Sequence, residues 1–293
     1  MACETRENGE FKLVSRRKKR MPRLRNNGDP NIPLPDSDND DNFSNINCEA
    51  LFGKLLEAET KLRNTLFANN VFQSLETCLN ALNIDGISEI LCYGLGPFSR
   101  LKSSKYQLAL LLSLKNQYNS LVYIYDPIFS SKEIKFLAQF GFNVLNINEE
   151  GKRIVNDKVT LVYMPHCSMH LINNFLYANW NERLCKCILL TNSFSTVVDN
   201  LTTTNRSADI DYIVRIQPYT TEITLRNNFL YEEAFNDLNL HIFLEQDIGT
   251  VPKNFWNERK EPCYRHTTVD YFTAKQTEQI DAKNYNCDSS PSR

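Results

Sequence analysis

Residues 87–96 read Ile-Ser-Glu-Ile-Leu-Cys-Tyr-Gly-Leu-Gly, a short apolar run that ends in two glycines. Residues 121–127 repeat this pattern as Leu-Val-Tyr-Ile-Tyr-Asp-Pro. A continuous apolar run of this length, closed by turn residues, is typical of a parallel strand that is buried on both faces. Residues 104–118 lie between the two runs and have the apolar pattern of a buried helix. The order of strand, helix and strand predicts a βαβ unit around a parallel sheet.

Two helices precede this unit, and the alternation of strand and helix continues after it. The first of these helices begins at Cys48, and the second ends before a turn at Asp85. We predict the fold class as α/β, with a Rossmann-like, mostly parallel sheet and flanking helices. Residues 212–216 fit a strand or a helix, and residues 238–244 alternate like a half-buried strand at a sheet edge. The elements predicted after the first unit are a helix at 131–140, strands at 142–145, 159–163 and 187–191, and a helix at 169–180.

The two ends of the chain differ in composition from this central part. Residues 1–45 contain a basic run at 15–20 and then an acidic stretch with several prolines. Neither has apolar periodicity, so we predict a disordered tail there and a polar tail at 271–293, with one domain at 46–270. The basic run is of the type used in nuclear import, and a solvated basic tail is the alternative.

Composition excludes several classes of function. The chain has 293 residues, 42% of them hydrophobic, and a formal net charge of -2. It can therefore bury a core, and direct binding of nucleic acid by the whole chain is not expected. The longest aliphatic stretch, at 108–112, is far shorter than the ~20 residues that span a membrane. Nine cysteines at irregular spacing, with no apolar leader at the start, indicate reduced thiols in the cytoplasm or nucleus.

The carboxyl ends of the predicted strands indicate where a ligand would bind, because open α/β sheets bind ligands there. The candidate residues are Gly94, Gly96, Ser99, Asp126 and His166. The glycines would let the backbone approach a nucleotide-like ligand, the acid would accept hydrogen bonds from hydroxyls, and the histidine would line the wall. The alternative is that the glycines and the acid only form turns.

A second candidate site would bind haem or a soft metal ion. His166 and His170 stand four residues apart, with Cys167 between them, and imidazole and thiolate are suitable ligands for these groups. We expect the two histidines to share one face of a helix if they act together. The alternative is structural, with Ser168 as the N-cap of the following helix.

Several motifs in a fixed order closely resemble those of the SRR-like family, named for a plant mutant with reduced sensitivity to red light. The resemblance covers residues 87–200, and the ordered set is specific although no single piece is. The motifs are Cys92-Tyr-Gly-Leu-Gly-Pro-Phe-Ser99, Tyr106-Gln-Leu-Ala109, Tyr125-Asp-Pro-Ile-Phe-Ser130, Tyr163-Met-Pro-His-Cys167, Tyr177-Ala-Asn-Trp180 and Thr191-Asn-Ser193.

The resemblance implies a regulatory role rather than a defined chemical reaction. Relatives act in light signalling, in input to the circadian clock and in clock-gene expression, and they are linked to regulation of haem biosynthesis. The resemblance also implies location in the cytoplasm and the nucleus. No catalytic residues are established for the family, so none transfer to this chain. Haem regulatory motifs centre on Cys-Pro, and this chain has only the reverse order at Pro262-Cys263.

Two functions therefore follow from the sequence. The first is a non-enzymatic regulatory protein that works through unidentified protein partners or a small ligand. The second is a methyltransferase-like enzyme that uses S-adenosylmethionine, because Gly94, Gly96 and Asp126 occur in the order expected on a Rossmann-like scaffold.

Overall fold

The computed structural model describes residues 48–201 and 209–264 of the chain. The expected tails at 1–45 and 271–293, with the basic run, lie outside the described residues. The helices are α1 (Cys48–Arg63), α2 (Leu66–Leu82), α3 (Lys102–Tyr118), α4 (Ser131–Gln139), α5 (Met169–Ala178), α6 (Phe194–Asp199), α7 (Asp211–Ile216) and α8 (Glu245–Ile248). The strands are β1 (Glu89–Tyr93), β2 (Leu121–Tyr125), β3 (Phe142–Val144), β4 (Thr160–Met164), β5 (Cys187–Asn192), β6 (Thr221–Thr224) and β7 (Leu238–Ile242).

The seven strands form one mixed sheet in the order β3-β2-β1-β4-β5-β7-β6. Strands β1 to β5 pair in parallel, and β7 is antiparallel to both of its neighbours. Helices pack on both faces, and neighbouring residues of β1 alternate between the two cores. Ile90 and Cys92 belong to the core under α1–α4, whereas Leu91 and Tyr93 belong to the core under α5 and α7. The predicted α/β fold class with a mostly parallel sheet is confirmed.

Local sequence explains where several helices begin and end. The Ser130 hydroxyl accepts a hydrogen bond from the Glu133 amide, and the Glu133 carboxylate accepts one from the Ser130 amide, which is a capping box at the start of α4. Thr65 caps α2 through the Ala68 amide, and Asn83 ends that helix in the left-handed region. Helix α3 is buried along residues 106–114, because it packs against α1 and shares one core with residues of the sheet.

The structure decides two sequence predictions at the end of the domain. Residues 212–216 belong to a helix, α7, which settles the two alternatives. Strand β7 was expected to be half-buried at an edge, and this is wrong: all five of its residues are buried between β5 and β6. The physical reason is β6, a short strand that the sequence did not indicate, which takes the edge position.

None of the helices among residues 48–201 and 209–264 combines the length and the apolar character that crossing a bilayer requires.

Candidate functional site

The edge of the sheet where β1, β2, β4 and β5 end is called the carboxyl edge below. It consists of the turns at 94–101, 126–130, 165–168 and 192–193. Strand β6 runs in the same direction as β5, since both are antiparallel to β7. The loop at 225–237, which joins β6 to β7, therefore reaches the carboxyl edge as well.

The two glycines after β1 are required by the conformation and by the packing of this turn. Gly94 and Gly96 have φ angles of 65° and 80°, a region that side chains rarely adopt. A Cβ atom at Gly94 would lie 2.4 Å from the Sγ atom of Cys167, and one at Gly96 would lie 2.7 Å from the Oγ atom of Ser104. The space that the glycines leave open is thus filled by side chains of the protein itself.

Asp126 contacts this turn directly from the end of β2. Its Oδ2 atom accepts a hydrogen bond of 2.7 Å from the Gly96 amide, and its Oδ1 atom accepts one of 3.0 Å from the Ile128 amide. The residue is only 8% exposed. Burial raises the pKa of Asp126, and the hydrogen bonds from the Ile128 and Gly96 amides oppose this rise. The carboxylate therefore holds two turns together.

Glu133 makes a parallel connection that sequence reasoning missed. Its Oε1 atom accepts a hydrogen bond of 2.9 Å from the Ser99 amide, and its Oε2 atom accepts bonds of 3.0 Å from the amide and hydroxyl of Ser130. The side chain is 1% exposed. The spacing Ser-x-x-Glu predicts the capping box but not the reach to Ser99. We call Asp126 and Glu133 together the carboxylate clasp, because they join the turns after β1 and β2.

Cys167 is a half-buried, hydrogen-bonded thiol rather than an available ligand. Its S–H group donates a hydrogen bond of 3.2 Å to the Tyr93 carbonyl oxygen. Burial raises the pKa of this thiol well above its usual range, and the nearby charge of Asp126 adds to the effect. Since metal and haem iron bind the thiolate, the residue is poorly prepared for that role.

The two histidines of the predicted haem or metal site do not share a helix face, so that expectation is wrong. His166 is exposed in the turn before α5 and has a φ angle of 57°. Ser168 caps α5, as the structural alternative predicts, and lies 3.2 Å from Nδ1 of His170. The His170 ring packs against Tyr264, and burial lowers the pKa of His170. Over the described ranges, no three His, Cys, Asp or Glu side chains are grouped so that they could hold a metal ion.

The structure thus brings part of the predicted site together. Gly96 and Asp126 are in direct contact, and Glu133 links Ser99 to the same pair of turns. Gly94 packs against Cys167, the neighbour of His166 in the chain. Binding of a nucleotide-like ligand by these residues stays a prediction, and each of them except His166 has a role in folding.

A further polar cluster lies beside the turn at 192–193, where β5 ends. Glu222 of β6 accepts hydrogen bonds from the amide and hydroxyl of Ser195, at 3.0 and 2.7 Å, and one of 2.8 Å from Asn239. Burial would raise the pKa of Glu222, but hydrogen bonds from His241, Ser193 and Ser195 outweigh burial and hold the pKa well below its usual range. His241 is fully buried and stacks on Phe194, so the cluster fastens α6 to the sheet rather than facing a substrate.

A groove of about 960 Å³ lies at the opposite, amino-terminal edge of the sheet, away from the predicted site. Its charged side chains have both signs, and Asp157 lies 3.7 Å from each of Arg183 and Lys186. The groove also includes Leu82, Ile84, Val159, Cys185, Leu244 and Ile248. Its position does not support ligand binding at the carboxyl ends of the strands.

Comparison with known proteins gives a consistent set of relatives. A family model described as the SRR1 domain matches residues 50–242. An SRR1-like protein of Drosophila melanogaster is 29% identical over 257 residues, which cover 84% of this chain and 87% of the relative. An SRR1-like protein of Mus musculus is 30% identical over 201 residues, which cover 57% of this chain and 81% of the relative. Protein SENSITIVITY TO RED LIGHT REDUCED 1 of Arabidopsis thaliana is 30% identical over 166 residues, which cover 53% of this chain and 58% of the relative.

We expect Asp126→Asn to destabilise the protein. The substitution replaces one acceptor oxygen with an NH2 group, so the amide of Gly96 or of Ile128 loses its acceptor. A buried donor without an acceptor costs about 1–3 kcal/mol, and urea titration should show a loss of that size. Asp199→Asn alters an exposed carboxylate and serves as the control, with a change within about 0.5 kcal/mol. Equal stability of the two variants would contradict the clasp.

A double-mutant cycle at Gly94 and Cys167 should reveal their contact. Gly94→Ala is expected to lower the free energy of unfolding by about 2 kcal/mol or more, because a positive φ angle and a close contact act together. In a Cys167→Ala background the cost should fall to the φ strain alone, about 1–2 kcal/mol. Gly53→Ala is the matched control, since α1 leaves open space there and alanine favours a helix. A cost at Gly94 that is the same in both backgrounds would show that the contact is absent.

Proposed function

This chain belongs to the SRR1 family, and we propose that it is a non-enzymatic regulatory protein that acts in light- or clock-dependent control of gene expression. The match of residues 50–242 to the SRR1 domain carries the proposal. The printed name of the Arabidopsis thaliana relative, which refers to sensitivity to red light, supplies its direction. We place the activity at the carboxyl edge, through binding of a protein partner or a small ligand.

The hydrogen bonding of the carboxyl edge supports a binding role. A catalytic acid or base must reach a proton on the substrate. Asp126 and Glu133 already accept hydrogen bonds from backbone amides, and the Cys167 thiol donates to a carbonyl oxygen. These side chains shape the edge, and the exposed residues beside them, such as His166 and Ile128, are available to a partner.

Two finer parts of the proposal come from the family resemblance. The first is a link to regulation of haem biosynthesis, and the second is location in the cytoplasm and the nucleus. In this proposal the protein regulates the synthesis of haem, and it does not need to bind haem itself.

One observation favours the second candidate, a methyltransferase-like enzyme. The strand order β3-β2-β1-β4-β5-β7-β6 with a reversed β7 is the order found in Rossmann-type methyltransferases. This is a likeness of fold, and a fold alone does not imply an activity. In that case Asp126 would have to accept hydrogen bonds from ribose hydroxyls, with the lone pairs that the Gly96 and Ile128 amides leave free.

A clock-gene reporter tests the regulatory role. In cells that lack the protein we expect an altered reporter rhythm, which the wild-type chain restores. Ile128→Asp should not restore it, because Ile128 is 58% exposed beside the clasp and a charge there would weaken binding of a partner. Ile154→Asp is the control, since that isoleucine is 66% exposed on the connection between β3 and β4. An unaltered rhythm without the protein, or full rescue by both variants, would contradict the proposal.

Thermal unfolding with S-adenosylmethionine distinguishes the two candidates. The regulatory proposal predicts an unchanged melting temperature. A ligand present at 100 times its dissociation constant stabilises by about 2.7 kcal/mol, which would raise the melting temperature by several degrees. A rise of that size with S-adenosylmethionine, absent with adenosine as the control, would favour the enzyme instead.

A further inference from the structure

Three strongly exposed leucines lie on segments that meet at the carboxyl edge. Leu66, Leu101 and Leu230 are 73%, 50% and 82% exposed. They lie at the first residue of α2, immediately before α3, and in the loop that joins β6 to β7. Exposure of one leucine is ordinary, whereas a group of them on adjoining segments is typical of an interaction surface.

A connected set of aromatic rings joins these three positions. The Tyr231 ring stacks on Tyr106 at 5.0 Å, and Phe229 meets Tyr106 edge-on at 4.9 Å. Phe229 also lies 6.2 Å from Phe67, and the Nζ atom of Lys102 lies 3.1 Å from the centre of the Tyr231 ring. Leu66 precedes Phe67 and Leu230 lies between Phe229 and Tyr231, whereas Leu101 precedes Lys102. The ring contacts and the lysine thus connect the three segments that carry the exposed leucines.

Lysines give one side of this surface a positive charge. Lys102 and Lys105 lie in the first turn of α3, and Lys61 lies in the last turn of α1. Lys61 pairs with Glu57, but within residues 48–201 and 209–264 neither Lys102 nor Lys105 forms an ion pair. The ammonium group of Lys102 lies over the Tyr231 ring. Hydrogen bonding to Lys102 lowers the pKa of Tyr231, and the charge of Lys61 adds to this effect.

We propose that a protein segment with both aliphatic and acidic side chains docks on a surface that we call the leucine patch. The patch is formed by Leu66, Leu101, Leu230, Tyr231, Lys102 and Lys105. Apolar side chains of the partner would cover the leucines, and its carboxylates would pair with the two lysines. The inference rests on the proposed function only in that it names the class of partner.

Two other occupants fit this surface less well. In a symmetric dimer through the patch, Lys102 and Lys105 of both copies would approach one another, and like charges would repel. An anionic membrane is held by clusters of about 4–8 basic residues, whereas the leucine patch contains two, Lys102 and Lys105.

Fluorescence anisotropy with the full chain tests the proposal. The probe is a labelled peptide of leucine, glutamate and serine, and the comparison peptide has lysine in place of each glutamate. We expect the acidic peptide to bind more tightly than the basic one. Leu230→Ser should weaken binding of the acidic peptide, and Leu101→Ser together with Leu230→Ser should weaken it tenfold or more. Lys102→Glu with Lys105→Glu should reverse the preference between the peptides.

Matched controls exist away from the patch. Leu121→Ser alters a leucine that is 51% exposed at the amino-terminal end of β2, and Lys253→Glu alters an exposed lysine after α8. Neither should change the affinity for the acidic peptide. Equal binding of both peptides, or unchanged binding by the leucine variants, would overturn the proposal.

The same protein preparation is used to test for the two other occupants, a second copy of the chain and a membrane. Sedimentation that shows a dimer dissociated by Leu230→Ser would assign the patch to a second copy and overturn the proposal. Leucine-dependent binding to vesicles of phosphatidylserine and phosphatidylcholine would assign it to a membrane, with the same consequence. Failure of the acidic peptide to bind would also overturn the docking proposal, but it would leave the reporter experiment unaffected, so the two proposals fail separately.

Discussion

The buried carboxylates Asp126 and Glu133 determine the shape of the carboxyl edge. A buried carboxylate is costly unless donors surround it, and backbone amides of the turns after β1 and β2 supply those donors here. Each carboxylate binds one amide of the first turn, at Gly96 or Ser99, and one of its own segment. The carboxylates need donors and the buried amides need acceptors, so these hydrogen bonds fix the two turns before any partner binds. Helices α3 and α4 therefore start from fixed positions.

This constraint changes the meaning of the glycine pattern. Two glycines and a following acid on a Rossmann-like sheet often serve a nucleotide, but here the acid binds the glycine turn and Cys167 fills the space at Gly94. The edge is therefore a packed surface with exposed residues around it. Such a surface suits recognition of another protein, which agrees with the regulatory role that we propose for an SRR1 family member.

Sequence patterns predicted the elements whose contacts are local. The apolar runs of β1 and β2 and the helical pattern of α4 need only neighbouring residues, and the structure confirms them. The burial of β7 depends on β6, and no local pattern shows which strand lies at the edge. The site was likewise predicted only in part. The direction of parallel strands places Gly96 and Asp126 at one edge, but residue spacing cannot show whether a backbone amide or a ligand donates to the carboxylate.

Amide hydrogen exchange, measured residue by residue by NMR on the full chain without any ligand, tests this account most directly. The clasp predicts slow exchange at Gly96 and Ser99, because each amide donates to a buried carboxylate. It also predicts that Glu133→Gln speeds exchange at Ser99 more than at Gly96. Fast exchange at both amides in the wild-type chain would show an open turn that awaits a ligand, and would contradict the account.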